Sequence, residues 1–146
     1  MKAISMVLTL ILAITLFAGC SQPAQKADES QSAAPVGTMT QAGYTDVTPQ
    51  EAQKLIDANK DMLVIIDVSP YYDNGHLPGA VHFQLGTPLD MAIPTLDKNK
   101  KYLVYCHGDG PSIAGSQKLI DAGFTMVYRL KGNYGAWVDA GYPIEK

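Results

Sequence analysis

Residues 102–112 read YLVYCHGDGPS, and the architecture of the chain can be inferred from this stretch outward. Its first four residues form an apolar run of the kind found in buried strands. Two glycines and a proline interrupt the run, and Ser112 is a good helix N-cap. We therefore predict a strand, a loop that begins at Cys106, and a helix that starts at Ser112 and stops at Gly123. Together they make one βα unit.

The same alternation continues on both sides of this unit. The sequence predicts a helix from a capping box at 48–51 to residue 59, a buried strand at 63–67, a short strand at 81–83, a weak helix at 88–96, a strand at 126–130 and a helix at 134–140. Alternating elements imply an α/β fold. We expect a single domain with a doubly wound parallel sheet and helices on both faces.

The composition fits one ordinary globular domain. The chain has 146 residues, 47% of them hydrophobic, and a formal net charge of -3. Lys and Arg total 11 against 14 acidic residues and are scattered, so no basic stripe is present to bind a phosphate backbone. We therefore expect no nucleic-acid partner.

The N-terminal segment is typical of an export signal. Lys2 is followed by an apolar run over residues 3–18. The run is shorter than the stretch of about 20 apolar residues that a membrane-spanning helix needs, and it ends in small residues. An uncleaved anchor helix is the alternative interpretation.

Residues 16–20 read LFAGC and resemble the lipobox of bacterial lipoproteins, with Phe17 where Leu is usual. The resemblance implies a signal peptide over residues 1–19 and acyl chains on Cys20. The membrane would then be a partner, and the protein would be held in the bacterial cell envelope, outside the cytoplasm. Residues 20–43, rich in Gln, Ala, Ser and Pro, would form a flexible tether before a folded domain over residues 44–146.

Cys106 is the candidate reactive residue. With Cys20 assigned to the lipid, it has no disulfide partner among the 2 cysteines. Cys106 is predicted to lie at a strand end and just before a helix N-terminus. Unpaired amides and the helix dipole at such a place favour the thiolate and bind an anion beside it. The alternative is a buried cysteine that fills the core. Gly108 and Gly110 favour the reactive interpretation, because a loop that folds its amides around one atom needs glycine.

Several stretches resemble the rhodanese-like domains, whose members transfer sulfane sulfur through a persulfide on a loop cysteine. They are LVIIDV at 63–68, YDNGHLPGAV at 72–81, the strand that leads to Cys106, and AGF, VYRLKG, AW and AGYP between 122 and 143. The match covers most of residues 44–146. The residues of its structural signature are Asp67, Gly75, His76, Pro78 and Gly79.

The resemblance implies a sulfurtransferase. Cys106 would accept sulfane sulfur from a small donor, namely polysulfide, a persulfide or thiosulfate, and pass it to a thiol or a cyanide-like acceptor. The loop residues would cradle the persulfide: His107, Gly108, Asp109, Gly110, Pro111 and Ser112. This chemistry requires no metal and no organic cofactor.

The loop departs from the family pattern in its charge. It reads CHGDGPS where the family commonly has C-R-x-G-x-R-S, so both arginines are absent and Asp109 adds a negative charge near the donor. Ser69 also stands where the family usually has Arg. Lys131, after the next strand, is the residue that could restore one positive charge. Because both loop arginines are absent and Asp109 is negative, we expect thiosulfate to be a poor donor.

The 3 histidines lack the spacing of a metal site. His76 is expected to be a structural residue bonded to the backbone, and His82 lies on a short strand. His107 is adjacent to the thiol, where it could help to hold a thiolate.

Three other functions compete with sulfur transfer. The main alternative is a non-catalytic module of the same fold that binds sulfur or docks a partner, with a loop that has lost turnover. A phosphatase of this fold needs a longer loop and an arginine where Ser112 stands. A thiol-disulfide oxidoreductase needs a second cysteine two residues from Cys106, which is absent.

Overall fold

A six-stranded sheet with four helices forms the part of the chain that the structure, a computed structural model, describes: residues 37–40 and 42–146. The strands are β1 (Thr38–Met39), β2 (Thr45–Val47), β3 (Leu63–Asp67), β4 (Val81–His82), β5 (Lys101–Tyr105) and β6 (Val127–Leu130). The helices are α1 (Pro49–Ala58), α2 (Thr87–Ala92), α3 (Asp109–Asp121) and α4 (Asn133–Asp139), with short 3₁₀ turns at Tyr72–Asn74 and Ile93–Thr95.

The strands lie in the order β1-β2-β6-β5-β3-β4. β1 pairs antiparallel with β2, and every other pair in the described sheet is parallel. β5 therefore lies between β3 and β6. Because the carboxyl ends of parallel strands meet at one edge, Cys106 follows β5 near the middle of that edge.

Helices cover both faces of the sheet, as predicted. The face under α2 and α3 includes Leu89, Leu119, Ile66 and Val104. The face under α1 and α4 includes Ala52, Trp137, Ile65 and Leu103. Consecutive residues of β3 and of β5 thus point to opposite faces, as the period of a strand requires. The predicted α/β fold with a doubly wound, mostly parallel sheet is confirmed.

Most of the predicted elements are present with small shifts at their ends. The capping box of α1 is complete, because Thr48 Oγ1 accepts from Glu51 N at 3.3 Å and Glu51 Oε2 accepts from Thr48 N at 2.7 Å. Gly123 follows α3 with a φ of 86°, as expected of a helix stop. β1 and β2 were not predicted from the sequence, and β1 lies within residues 20–43, the predicted tether.

The prediction that Ser112 caps α3 is wrong. The helix begins at Asp109 with Gly108 as its N-cap, so Ser112 lies inside it. The buried Ser112 Oγ donates to Asp109 O at 3.0 Å. Pro111 explains the earlier start, because in the first helical turn its missing N–H leaves no bond unmade and its fixed φ suits the helix. The carboxylate of Asp109 also suits the positive end of the helix dipole.

The predicted signal peptide and Cys20 lie outside the described residues. Within residues 37–40 and 42–146, no helix has the length and apolar character needed to cross a bilayer. The acyl anchor therefore stays a prediction from the sequence.

The helix α3 approaches the sheet closely at Gly115. A Cβ atom at this position would lie 3.1 Å from Val68 Cγ1 and 3.4 Å from Val104 Cγ1. The absence of a side chain lets the helix rest on these valines. Gly115 therefore helps to set the position of the helix N-terminus beside Cys106.

The two helical glycines Gly115 and Gly135 offer a matched test of this packing. Gly115→Val should lower the free energy of unfolding by about 1–3 kcal/mol, because the added methyl groups overpack the contact with Val68 and Val104. Gly135→Ala should raise it by up to about 1 kcal/mol through helix propensity, since a Cβ atom there meets nothing within 4 Å. Urea unfolding followed by circular dichroism measures both. Equal stability of Gly115→Val and wild type would contradict the close approach.

Candidate active site

The main chain of Cys106 is held from both sides by the turn between β6 and α4. Its N–H donates to Asn133 Oδ1 at 3.2 Å, and its carbonyl oxygen accepts from Tyr134 N at 3.0 Å. The residue is 3% exposed and belongs to the core cluster on the α2 and α3 face. It is a free cysteine. Burial alone does not separate a core cysteine from a nucleophile at the base of a cleft, so the residues that follow it decide.

These residues present an open row of donors, which we call the amide cup: the N–H groups of His107, Gly108, Asp109 and Gly110. Asp109 and Gly110 are the first two residues of α3, so their N–H groups have no acceptor within the helix, and no side chain caps it. None of the four donates to another group in the described part of the chain. Pro111 has no N–H, and Ser112 lies within the helix. Among the predicted cradle residues 107–112, the unpaired backbone donors are therefore these four N–H groups.

The expectation that Gly108 and Gly110 are needed for the shape of the loop is wrong. Gly108 has a φ of −152°, which is extended backbone that any residue adopts, and Gly110 lies in the helix. A Cβ atom at either position would meet no heavy atom within 4 Å. Both glycines therefore border open space.

Arg129, on β6, joins two carboxylates. Its Nε and Nη2 donate to Oδ1 and Oδ2 of Asp46 at 2.7 and 2.8 Å, and its Nη1 donates to Asp109 Oδ1 at 2.7 Å. The hydrogen bonds to Asp46 raise the pKa of Arg129 above its ordinary value, and burial opposes them. Bidentate bonds of this kind are strong and directional. The guanidinium therefore has both carboxylates as fixed partners.

The carboxylate of Asp109 does not stand free beside the loop, as its position in the sequence suggested. Besides the bond from Arg129, its Oδ1 accepts from Asn133 Nδ2 at 2.9 Å. The side chain is nevertheless 67% exposed, so its carboxylate remains open to the solvent. Arg129 and Asn133 were not among the site residues predicted from the sequence. The available signal was an arginine inside an apolar strand, since a buried cation needs an acidic partner.

Asn133 joins this charged group to Cys106. It has a φ of 58° and follows Gly132 with a φ of 74°, so both residues adopt the left-handed conformation that Gly and Asn tolerate best. One carboxamide accepts from Cys106 N and donates to Asp109. Because Asn133 is only 2% exposed, water has little access to replace either bond.

His107 lies between two tyrosine rings. Its ring centroid is 4.4 Å from that of Tyr134, with an interplanar angle of 12°, and 5.4 Å from that of Tyr71. Its Nε2 is buried without a hydrogen-bond partner in the described chain. The Tyr134 hydroxyl lies over Gly75, where a Cβ atom would clash with it and where φ is 142°. We call the rings of Tyr71, His107 and Tyr134 the aromatic wall. His107 follows Cys106 in the chain, and the backbone N–H of Tyr134 donates to the Cys106 carbonyl oxygen.

The end of β3 brings buried polar groups to the same edge of the sheet. Asp67 Oδ1 accepts from Ser69 N at 2.7 Å, and Asp67 Oδ2 has no partner in the described chain. A nitrogen of His82, Nε2, lies 2.7 Å from Ser69 O. Burial, with a further contribution from the Asp67 charge, raises the pKa of Tyr105 far above its ordinary value, so its hydroxyl stays protonated. Ser69 itself is buried and adds no charge here.

The signature residues hold the C-terminal segment. His76 N donates to Glu145 O at 2.9 Å, Gly79 N donates to Glu145 Oε2 at 3.0 Å, and His76 Nδ1 lies 3.2 Å from Tyr72 O. Pro78 and Gly79 also line an open groove of about 270 Å³ beside α1. In the described ranges, no group of three or more His, Cys, Asp or Glu side chains is arranged to hold a metal ion.

Lys131 is exposed in the turn after β6. Its backbone N–H donates to Val47 O at 2.9 Å. Its ammonium group forms no ion pair or hydrogen bond with residues 106–112 in the described structure. The cation that does reach the loop is Arg129, two residues earlier, and not Lys131.

Comparison with known proteins identifies the family. A family model described as a rhodanese-like domain matches residues 48–140. The chain belongs to the rhodanese-like domain family. Thiosulfate sulfurtransferase GlpE of Glaesserella parasuis is 30% identical over 105 residues, which are 70% of this chain and 94% of that protein. The GlpE protein of Coxiella burnetii is 32% identical over 96 residues, which are 64% of this chain and 87% of that protein.

Solved structures agree with this assignment. The crystal structure of the Alr3790 protein from Anabaena sp. matches with a TM-score of 0.62 at 29% identity, over 68% of this chain and 81% of that one. The family resemblance found in the sequence is therefore confirmed. This rhodanese-like domain has relatives that carry the name sulfurtransferase, and its own loop differs in charge from the usual pattern of the family.

Substitution of Asn133 tests the bond that holds Cys106. In this rhodanese-like domain Asn133→Ala leaves the Cys106 N–H buried without an acceptor, and alanine tolerates the left-handed backbone at this position less well than asparagine does. We expect a loss of about 2–4 kcal/mol in the free energy of unfolding. Asn133→Gly keeps the conformation and loses only the bonds, so about 1–3 kcal/mol should be lost. Urea titration measures both, and an Asn133→Gly protein as stable as wild type would count against the bridge.

Proposed function

We propose that the protein is a sulfurtransferase in which Cys106 carries sulfane sulfur as a persulfide. The observation that carries the proposal is the amide cup, four unpaired N–H groups directly after a cysteine whose own backbone is held in place. A structural cysteine has no need of such donors. The family membership and the names of the relatives support the same class of reaction.

The first step is attack of the Cys106 thiolate on the outer sulfur of the donor. A new S–S bond forms, and the old bond from that sulfur breaks. The leaving group departs with the electron pair: sulfite from thiosulfate, a shorter polysulfide from polysulfide, or a thiolate from a hydropersulfide. The product is Cys106–S–S⁻, or its protonated form, and no net oxidant or reductant is consumed.

The second step returns the enzyme to its starting state. A thiol or a cyanide-like acceptor attacks the terminal sulfur, and the Cys106 thiolate leaves with the electron pair of the S–S bond. Cyanide would yield thiocyanate, and a thiol would yield its hydropersulfide after loss of a proton. The N–H groups of the amide cup would stabilise the negative charge on the terminal sulfur, with donors already in position before the chemistry begins.

Persulfide formation is tested on the full-length chain in detergent. We expect thiol-protected mass spectrometry to find one added sulfur on Cys106 after exposure to polysulfide or cysteine hydropersulfide, and none on Cys106→Ser. The same samples incubated with cyanide should release thiocyanate and lose the added mass. Wild-type protein that gains no sulfur from any of polysulfide, hydropersulfide and thiosulfate would instead support the non-catalytic module.

We further propose that Cys20 carries acyl chains that anchor the protein in the bacterial cell envelope, outside the cytoplasm. The support is the lipobox-like sequence LFAGC at 16–20. More than one acyl chain on Cys20 would give stable anchoring, because a single chain binds a membrane only marginally. The flexible composition of the following residues suits a tether.

Detergent phase partition tests the anchor. Wild-type protein should enter the detergent phase with an acylated N-terminal peptide that begins at Cys20. The Cys20→Ser variant should keep residues 1–19 or lack the lipid mass. A wild-type N-terminus at any other residue, without acylation, would contradict the proposal.

A further inference from the structure

We propose that Asp109 is a specificity-determining residue that disfavours dianionic sulfur donors such as thiosulfate relative to hydropersulfides, which react in their neutral, protonated form R–S–SH. The inference rests on the proposed function, since it concerns the choice of donor at Cys106. It goes beyond the missing loop arginines, because it assigns the discrimination to one residue that is present.

The charges around the loop do not balance. Arg129 is the one cation that the described structure bonds to the loop, and it serves both Asp46 and Asp109. One positive and two negative charges leave an excess of one negative charge. Asp46 takes the bidentate bond, so the excess charge belongs largely to Asp109.

Asp109 is also the acidic residue nearest the donors of the amide cup along the chain. It is the first residue of α3, and its own N–H is one of the four in the cup. A carboxylate in the first turn interacts favourably with the positive end of the helix dipole and so offsets part of the attraction that an incoming anion would feel. Its 67% exposed side chain places this charge in the solvent through which the donor arrives.

No other cation forms an ion pair with Asp109 in the described ranges. Lys118 pairs with Asp90 at 2.7 Å, and Lys98 donates to Ala122 O at 2.7 Å, at the far end of α3. The Lys131 ammonium makes no bond to the loop. A donor with two negative charges therefore meets a repulsive field at the mouth of the cup.

A hydropersulfide avoids this repulsion. Its protonated form R–S–SH presents a neutral outer sulfur to the Cys106 thiolate, and RS⁻ leaves when the S–S bond breaks. The aromatic wall of Tyr71, His107 and Tyr134 offers contact to an organic group R. Thiosulfate has no such group and carries its charge close to the reacting atom.

The test compares Asp109→Asn with the matched variants Asp109→Glu and Asp121→Asn. The first substitution keeps an oxygen that can accept from Arg129 and removes the charge, whereas Asp109→Glu keeps the charge. Asp121 lies on the same helix, about 18 Å away along its axis, bonded to Gln117 at 2.7 Å. The readout is the second-order rate constant for gain of one sulfur on Cys106, measured with thiosulfate and with cysteine hydropersulfide at low salt.

For Asp109→Asn, the ratio of the rate constant with thiosulfate to that with hydropersulfide should rise on the order of fivefold. Asp109→Glu and Asp121→Asn should keep the ratio of the two rate constants within about twofold of wild type. Added salt should speed the wild-type reaction with thiosulfate, because it screens a repulsion between like charges. This salt series needs no variant, so a wild-type rate with thiosulfate that falls with added salt would overturn the inference even if Asp109→Asn folds poorly.

An unchanged ratio in Asp109→Asn, or a thiosulfate reaction of wild type that slows with salt, would overturn the inference. Equal changes in Asp109→Asn and Asp109→Glu would overturn it as well, because the cause would be position and not charge. Failure of the proposed function has a different signature. In that case wild-type Cys106 gains no sulfur from either donor.

Discussion

The Asn133 carboxamide is the link on which the arrangement around Cys106 depends. It accepts from the Cys106 N–H and donates to Asp109, which in turn binds Arg129. Through Arg129 the link extends to Asp46 on the neighbouring strand. Three strands and the N-termini of two helices are therefore connected through one buried amide. Each polar group in this series of hydrogen bonds is the partner of the next, so loss of one leaves another without its bond. The backbone of Cys106 would then be held less firmly.

This network also explains how a loop without arginine stays ordered. The N-cap and first turn of α3 together contain two glycines and a proline, and no side chain caps the helix. Arg129 and Asn133 supply the missing restraint from outside α3, because both donate to the Asp109 carboxylate. The same carboxylate brings a negative charge to a place where the positive end of a helix would otherwise attract anions. The order of this loop and its proposed charge selectivity thus depend on one side chain.

Much of the fold follows from local patterns that act over a few residues. The capping box before α1, the apolar runs of β3 and β5, and Gly123 after α3 are visible in the printed sequence and appear at the expected places. The predicted start of α3 is wrong because Ser112 is a common cap, whereas Pro111 and Asp109 both suit the first turn. β1 and β2 have only two and three residues, which is too short for a period to be recognised.

Periodicity along the chain is enough to place Cys106 at the end of a central strand and before a helix, because strand and helix periods are properties of neighbouring residues. The groups that surround the cysteine depend instead on contacts between distant segments. The pairing of Arg129 with Asp46 joins residues that are 83 positions apart, and it exists because the register of β2 against β6 places them side by side. Such a partner depends on sheet order and register. No local pattern around Asp109 reveals that its charge is shared, or that Asn133 reaches the backbone of the cysteine.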